Sequence, residues 1–192
     1  MDARPSGPWM EAGREAGLVL NAQRGDLDAM LELMRHYQRP LWRLCFALAR
    51  DVVEGERLAQ GTARRALRNL RQLPVGQPFF PWLARLARTL AISRSRRAAG
   101  ERDDGARRPD GRRWSSGALG AHDLEYQKHL LAAFAELSVE DQMLLALRLF
   151  ERLPYAEIAN IAGVALPTTM HRIATLRERI ETSARERGEK AA

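Results

Sequence analysis

Apolar residues recur along most of the chain at intervals of three and four, which is the spacing of an amphipathic helix. The pattern predicts a short helix over residues 18–24 that Gly25 ends, and a second helix that Asp26 caps. Pro40 suits the first turn of a third helix, which extends to about Arg50. No stretch has the alternating, β-branched pattern of a strand. We therefore predict an all-α fold.

Two longer helices are predicted in the same half of the chain, over about 53–72 and about 80–98. The loop between them contains two prolines and a glycine. Residues 1–17 combine Pro, Gly and charges without an apolar core, and we predict that they form a disordered N-terminal arm. Residues 18–98 are then expected to form one helical domain.

The helical pattern fails over residues 99–122, which hold several glycines, a proline and mixed charges. We predict a flexible linker there, and hence a domain boundary. A second helical domain is expected over 123–186, followed by a tail at 187–192. Its helices are marked by an apolar stripe (Leu130, Phe134, Leu137), a capping sequence beginning at Ser138, and two prolines, Pro154 and Pro167, each of which opens a helix.

The strongest local pattern in the second domain is that of a helix-turn-helix. Ala159 supplies the small residue where two helices touch, and Gly163 supplies the turn. On the helix that follows, four apolar or small positions fall within one arc of about 60°, namely Thr169, Ile173, Leu176 and Ile180. Outside this arc lie the side chains expected to enter a major groove: Thr168, Met170, His171, Arg172, Thr175 and Arg177. An ordinary helical hairpin with a solvated outer face is the alternative.

The helix predicted over 80–98 is basic on one side. Three leucines share one arc, and Arg85, Arg88, Thr89 and Arg96 occupy the opposite one. No acidic residue lies between Phe80 and Gly100. Such a face suits contact with a nucleic-acid backbone, although a solvated charged face is the alternative. We expect Trp82 to pack in the core rather than to contact a base.

The distribution of charge along the chain indicates what kind of partner the protein binds. The 192 residues carry a formal net charge of +7, but residues 1–122 carry +9 and residues 123–192 carry −2. The basic first half favours a polyanionic partner.

The residues indicate no enzyme, metal site, cofactor or small-molecule substrate. The four histidines are scattered without metal-ligand spacing, and there is no glycine-rich phosphate loop. Cys45 is the single cysteine and is expected to be buried and inert, which suits a reducing cytoplasm. No apolar run approaches the ~20 residues that a membrane helix needs. We expect a cytoplasmic protein that does not contact a membrane.

In their order and separation these segments resemble the extracytoplasmic-function (ECF) sigma factors over residues 18–98 and 124–182. In the first domain the resemblance rests on residues 22–26 (AQRGD), 37–41 (YQRPL) and 81–88 (PWLARLAR). In the second it rests on residues 137–138 (LS), 155–159 (YAEIA), 163–164 (GV) and 177–179 (RER).

The resemblance implies a sigma factor that binds core RNA polymerase and promoter DNA and directs promoter-specific initiation of transcription. Residues 18–98 would act as a region 2-like domain, which binds the polymerase clamp through Glu54, Glu56 and Gln60. The same domain would open the downstream promoter element with Arg85, Arg88, Thr89, Ser93 and Arg96. Residues 123–186 would act as a region 4-like domain that reads the upstream element with the helix-turn-helix side chains named above. The family also suggests an anti-sigma factor as a partner.

The chain departs from the family pattern at several of these positions. Arg57 and Gly61 stand where the clamp-binding helix usually carries acidic residues. Thr89 stands in place of Asn, Ser93 in place of Asp, and Met170 in place of Lys. Two other functions are therefore kept open. One is a degenerate sigma-like adaptor that binds a protein partner, and the other is a helix-turn-helix regulator that does not act through core polymerase.

Overall fold

A computed structural model describes residues 9–49, 51–100 and 129–191, and these residues form helices and no strand. The all-α prediction is therefore confirmed for the described part of the chain. The helices are α1 (Ala12–Gln23), α2 (Leu27–Leu48), α3 (Val52–Asn69), α4 (Phe79–Gly100), α5 (129–135), α6 (Val139–Leu149), α7 (Tyr155–Ala162) and α8 (Leu166–Ala191). A 3-10 turn, Leu70–Gln72, continues α3.

Side-chain caps set the start of three helices. The Asp26 carboxylate accepts hydrogen bonds from the backbone N–H groups of Asp28 and Ala29, as the sequence predicts. Asp51 caps α3 in the same way. Ser138 accepts a hydrogen bond from the backbone N–H of Asp141 at 3.1 Å, which confirms the predicted start of α6.

The first helix begins six residues before its predicted start, because tertiary contacts outweigh the low helix propensity of its glycines. Met10 is buried, and the Trp9 ring lies 5.0 Å from that of Phe80 between centroids. Glu15 is also buried. The prediction of a disordered arm is thus wrong for residues 9–17, while residues 1–8 lie outside the described part of the chain.

One helix, α2, runs through Pro40, where the sequence predicts a separate helix to begin. A proline inside a helix lacks the N–H that bonds to the preceding turn, which costs about 3 kcal/mol. Pro40 is buried, and Tyr37, Leu41 and Leu44 beside it are among the most buried residues of the core. Their burial offsets the lost hydrogen bond, so the helix continues.

The hydrophobic core continues into the second domain through α6, which carries several fully buried side chains including Met143, Leu145 and Leu147. Residues 101–128 lie outside the described residues, so the linker predicted at 99–122 and the domain start at 123 stay predictions beyond Gly100, which still belongs to α4. The helix α8 continues to Ala191, so the predicted tail at 187–192 is helical through 191.

The two helical units pack against each other. Helix α2 contacts α6, and α4 contacts both α6 and α7. A cavity of about 10 Å³, enough for one water molecule, lies between Tyr37 and Pro81 on one side and Leu153 and Pro154 on the other. This packing decides which of the candidate residues are open to solvent.

Candidate nucleic-acid interface

The start of α4 is fixed by a buried carboxylate. Glu15 Oε1 accepts hydrogen bonds from the backbone N–H of Phe79, at 3.1 Å, and from the Tyr37 hydroxyl, at 2.6 Å. An acidic group is favourable at a helix N-terminus because the first N–H groups have no partner within the helix. The sequence analysis missed Glu15, although a lone acidic residue three and four positions before Leu18 and Val19 could have indicated a buried cap.

The buried face of α4 contains small and apolar residues, and Trp82 belongs to it at 7% exposure, as expected. Thr89 and Arg96 are exposed, whereas Arg85, Arg88 and Ser93 are half-buried. Arg85 donates a hydrogen bond to the Gln77 side chain at 2.8 Å, and the Thr89 hydroxyl donates one to the Arg85 carbonyl at 2.9 Å. The exposed side of α4 therefore presents cations and hydroxyls together.

Arg88 lies at the edge of this face, next to α6. Its guanidinium lies 4.0 Å from the Glu140 carboxylate on α6, across the contact between the two domains. Its Nε is buried and makes no hydrogen bond within the described part of the chain. Arg88 is half-buried like Arg85, with 33% of its side chain exposed, and it lies where α6 borders α4.

The predicted polymerase-binding residues lie on the N-terminal half of α3. Glu54 accepts hydrogen bonds from Arg57 at 2.9 Å and from Arg94 of α4 at 3.2 Å. Glu56 and Gln60 are exposed and pair with each other at 3.4 Å. Glu54 is thus paired with two arginines although 41% of its side chain is exposed, while Glu56 and Gln60 are exposed without an arginine partner among the described residues. Arg94, which the sequence analysis did not select, joins this helix to α4.

The helix-turn-helix has the predicted geometry. Helix α7 ends at Gly163, whose φ of 71° is in the left-handed region that glycine adopts readily. The N–H groups of Gly163 and Val164 both donate to the carbonyl of Ala159. On α8, the inward positions Thr169, Ile173, Leu176 and Ile180 are all buried. The outward positions Thr168, Met170, His171, Thr175 and Arg177 are all exposed.

Arg172 is the exception on the predicted reading face. It is half-buried, and its Nε donates a hydrogen bond of 2.7 Å to Asp141 near the start of α6. The other oxygen of Asp141 accepts a hydrogen bond from the Ser138 hydroxyl. Arg172 therefore links α8 to α6. The N–H groups of its guanidinium other than that of Nε remain available for another contact.

A paired arginine and glutamate join the two domains. Arg43 of α2 donates two hydrogen bonds of 2.8 Å, from Nε and Nη2, to the two carboxylate oxygens of Glu151. The Glu151 side chain is 1% exposed, and the hydrogen bonding raises the pKa of the Arg43 guanidinium. Sequence reasoning missed this pair because the residues lie far apart in the chain, although an acid among Leu149, Phe150 and Leu153 is a signal of a buried charge.

Two further observations bear on what the chain can do. The described residues hold no group of three or more His, Cys, Asp or Glu side chains placed to bind a metal ion. Across the same residues, no helix combines the length and the apolarity that crossing a bilayer requires.

The first domain is similar to known proteins. Residues 33–101, which include most of α2 and all of α3 and α4, match the model of sigma-70 region 2. The chain is 30% identical over 79 residues to the ECF RNA polymerase sigma factor SigW of Bacillus subtilis (strain 168). That match covers 41% of this chain and 42% of the relative, so it spans less than half the length of either protein.

Two solved structures share the fold. One is CnrH in complex with the cytosolic domain of CnrY, with a TM-score of 0.64, 18% identity, and coverage of 88% of this chain and 96% of that one. The other is the sigma factor RpoE in complex with the anti-sigma factor NepR from Bartonella quintana, with a TM-score of 0.62, 22% identity, and coverage of 80% and 95%. At these identities the likeness is one of fold, and it extends over both helical domains.

Proposed function

We propose that this chain, in which residues 33–101 form a sigma-70 region 2 domain homologous to that of an ECF sigma factor, is itself a sigma factor. It binds core RNA polymerase and directs promoter-specific initiation of transcription in the cytoplasm. Its role is to bind and position, not to catalyse. The observation that carries the proposal is the region 2 match, followed in the same chain by a helix-turn-helix.

In this function the first domain binds both the polymerase and the downstream promoter element. Glu56 and Gln60 contact the clamp, and Glu54 contributes from beside them. Arg85, Thr89, Ser93 and Arg96 of α4 contact the downstream element, supported by their basic and hydroxyl-bearing face. Arg88 contributes from the edge of this face, where Glu140 lies 4.0 Å from its guanidinium.

The second domain reads the upstream element through the major groove. Thr168, Met170, His171 and Thr175 are the direct readers, supported by their exposure on the outer face of α8. Arg177 contributes phosphate contacts, and Arg172 does so with the donors that Asp141 does not use. Because both DNA-contacting domains belong to one chain, binding of one domain raises the effective concentration of the other at the promoter. The distance between the two promoter elements therefore contributes to specificity.

An anti-sigma factor is a further proposed partner. Support comes from RpoE, which was solved with the anti-sigma factor NepR, and from CnrH, which was solved with the cytosolic domain of CnrY. Size-exclusion chromatography of the chain after co-expression with candidate partners would identify a stable complex.

Competition for core polymerase tests the polymerase contact. Glu56→Arg should weaken competition against another sigma factor, since an interfacial charge pair lost in this way typically costs 2–5 kcal/mol. Its thermal stability should barely change, because Glu56 is exposed. Glu181→Arg on α8 is the matched control, exposed and of the same charge change.

An adaptor that starts no transcription is the second candidate function. The observation that favours it is the engagement of Glu54 by Arg57 and Arg94, which leaves one fewer free carboxylate on α3. Equal competition by the wild-type chain, Glu56→Arg and the control would contradict the proposed clamp contact and leave the adaptor as the better function.

A further inference from the structure

Over a long stretch of the α3–α4 hairpin, all the charged residues are basic. Residues 57–100 contain ten arginines and no aspartate or glutamate. Five of the ten lie on α4, and Arg57 of α3 is paired with Glu54. The other four lie on the second half of α3 and in the turn that follows it: Arg64, Arg65, Arg68 and Arg71.

Three of these arginines form a row, which we call the arginine stripe: Arg64, Arg68 and Arg71. Their spacing of four and three puts them on one side of the helix, about 6 Å apart for the first pair along the axis. All three are exposed, and none of them forms an ion pair with a carboxylate of the described residues. Three fixed cations without a counter-charge make an attractive surface for a polyanion.

The stripe begins one turn after a contact between α3 and α4. A Cβ built on Gly61, one turn before Arg64, would lie 3.8 Å from Leu90 and 3.7 Å from Arg94. Arg94 also donates to the Arg57 carbonyl at 3.3 Å. The side of α3 that contains Gly61 therefore borders the side of α4 that contains Leu90, so the stripe lies on the helix beside α4 and adds cations next to it.

The chemistry of the stripe favours duplex DNA over single strands or an acidic protein. Residues 57–72 contain no aromatic side chain, whereas proteins that bind single strands use aromatic rings to stack bases. Leu67 is the one large apolar side chain exposed on this half of α3, which is too little for the apolar centre of a protein interface. Arginines in a row suit contact with successive phosphates.

We propose that the arginine stripe is a sequence-independent binding surface for the phosphate backbone of duplex DNA. Arg64 follows Gln60 of the proposed polymerase contact by one turn of α3, and the stripe contains none of the base-reading positions of α4 and α8. The stripe would hold duplex beside the promoter element on which α4 acts. Binding through the stripe does not require polymerase, so it can be measured on the chain alone.

The test is the salt dependence of binding to a fluorescently labelled duplex of arbitrary sequence. Each phosphate contact contributes about 0.9 to the slope of log K against log salt concentration. Arg64→Gln, Arg68→Gln and Arg71→Gln combined should make the slope shallower by about 2 to 3. The control combines Arg39→Gln, Arg179→Gln and Arg185→Gln, which are exposed arginines elsewhere with the same total charge change. It should change the slope by less than about 1.

Equal changes in the two triple variants would overturn the proposal, because they would mean that only net charge matters. Competition for core polymerase provides the second arm. A stripe variant that loses core binding but keeps the wild-type salt slope would assign the stripe to polymerase and also overturn it. Circular dichroism melting of both variants identifies any loss of fold. Since the duplex titration contains no polymerase, failure of the proposed sigma function leaves its result readable.

Discussion

Arg172 shows how one side chain can serve the fold and the site together. Its outward position on α8 suggests a DNA contact, but its Nε is committed to Asp141. This charge-assisted hydrogen bond of 2.7 Å orients the guanidinium and links α8 to α6. The wheel geometry of a single helix could not predict this, because Asp141 belongs to another element.

For Cys45, in contrast, the prediction from sequence that the residue is buried is confirmed. The thiol is fully buried, as its apolar neighbours indicate. Burial raises the pKa of Cys45 to about 12. Because the thiolate is the reactive form, the native thiol is expected to be inert.

We predict that stability conferred by Cys45 is lost at high pH. Since the folded pKa is about 12 and that of a free cysteine is about 8.5, the unfolded state releases its proton first as the pH rises. The contribution of the buried Cys45 thiol to the free energy of unfolding is complete below about pH 8.5 and is reduced by about 2 kcal/mol at pH 10. Urea unfolding of the wild type and of Cys45→Ala, at pH 8 and pH 10, measures the difference between them. A difference that does not change with pH would contradict the buried, protonated thiol.

At the scale of the element, two glycines of α3 differ in how closely the neighbouring helix approaches them. At Gly55 an added Cβ would lie 3.1 Å from the Phe46 ring and 3.2 Å from the Phe46 Cα, which is tighter than nine in ten real Cβ contacts. At Gly61 the nearest atoms lie at 3.7 and 3.8 Å, which is ordinary contact. Gly55 therefore permits the close approach of α2 and α3, whereas Gly61 has no such packing requirement.

We predict opposite effects of the same substitution at these two sites. Gly61→Ala should raise the free energy of unfolding by about 0.5–1 kcal/mol, because alanine favours the helix. Gly55→Ala should lower it by about 1–3 kcal/mol, because Phe46 must move. Urea unfolding followed by circular dichroism measures both. If Gly55→Ala proved as stabilising as Gly61→Ala, the close packing on Phe46 would be refuted.

Helix type and caps could be predicted from local pattern, and helix limits only in part. Asp26, Ser138 and Gly163 act within a few residues of themselves, so the sequence around them suffices. The continuation of α2 through Pro40 and the early start of α1 depend on burial against distant residues. Local propensity opposes both, and tertiary packing overrides it.

At the scale of the whole molecule, the contact between the domains decides which candidate residues are available. Two glutamates of the second domain, Glu140 and Glu151, face two arginines of the first, Arg88 and Arg43. The helix-turn-helix could be predicted from sequence because its residues are contiguous. The contact of Arg88 with Glu140 could not, since the two residues are more than fifty positions apart in the chain.

We predict that Arg43 holds the domains together. Arg43→Met would leave the buried Glu151 carboxylate without its partner, a loss that typically costs 3–5 kcal/mol unless the carboxylate reaches water. Separation of the domains relieves this cost, so the radius of gyration from small-angle X-ray scattering should rise. Arg39→Met, an exposed arginine one turn earlier, is the control and should leave the scattering unchanged. Identical curves for both variants and the wild type would show that the pair does not maintain the closed arrangement.

The central claim is that this chain directs initiation by RNA polymerase, and run-off transcription tests it most directly. Core polymerase would be supplied with the purified chain and a library of genomic fragments, and the transcripts mapped to their start sites. We predict discrete starts that depend on the chain. The combined variant Arg85→Glu and Arg96→Glu should lose them while still competing for core polymerase. The absence of chain-dependent transcripts from every fragment, with core polymerase active with another sigma factor, would contradict the proposed function.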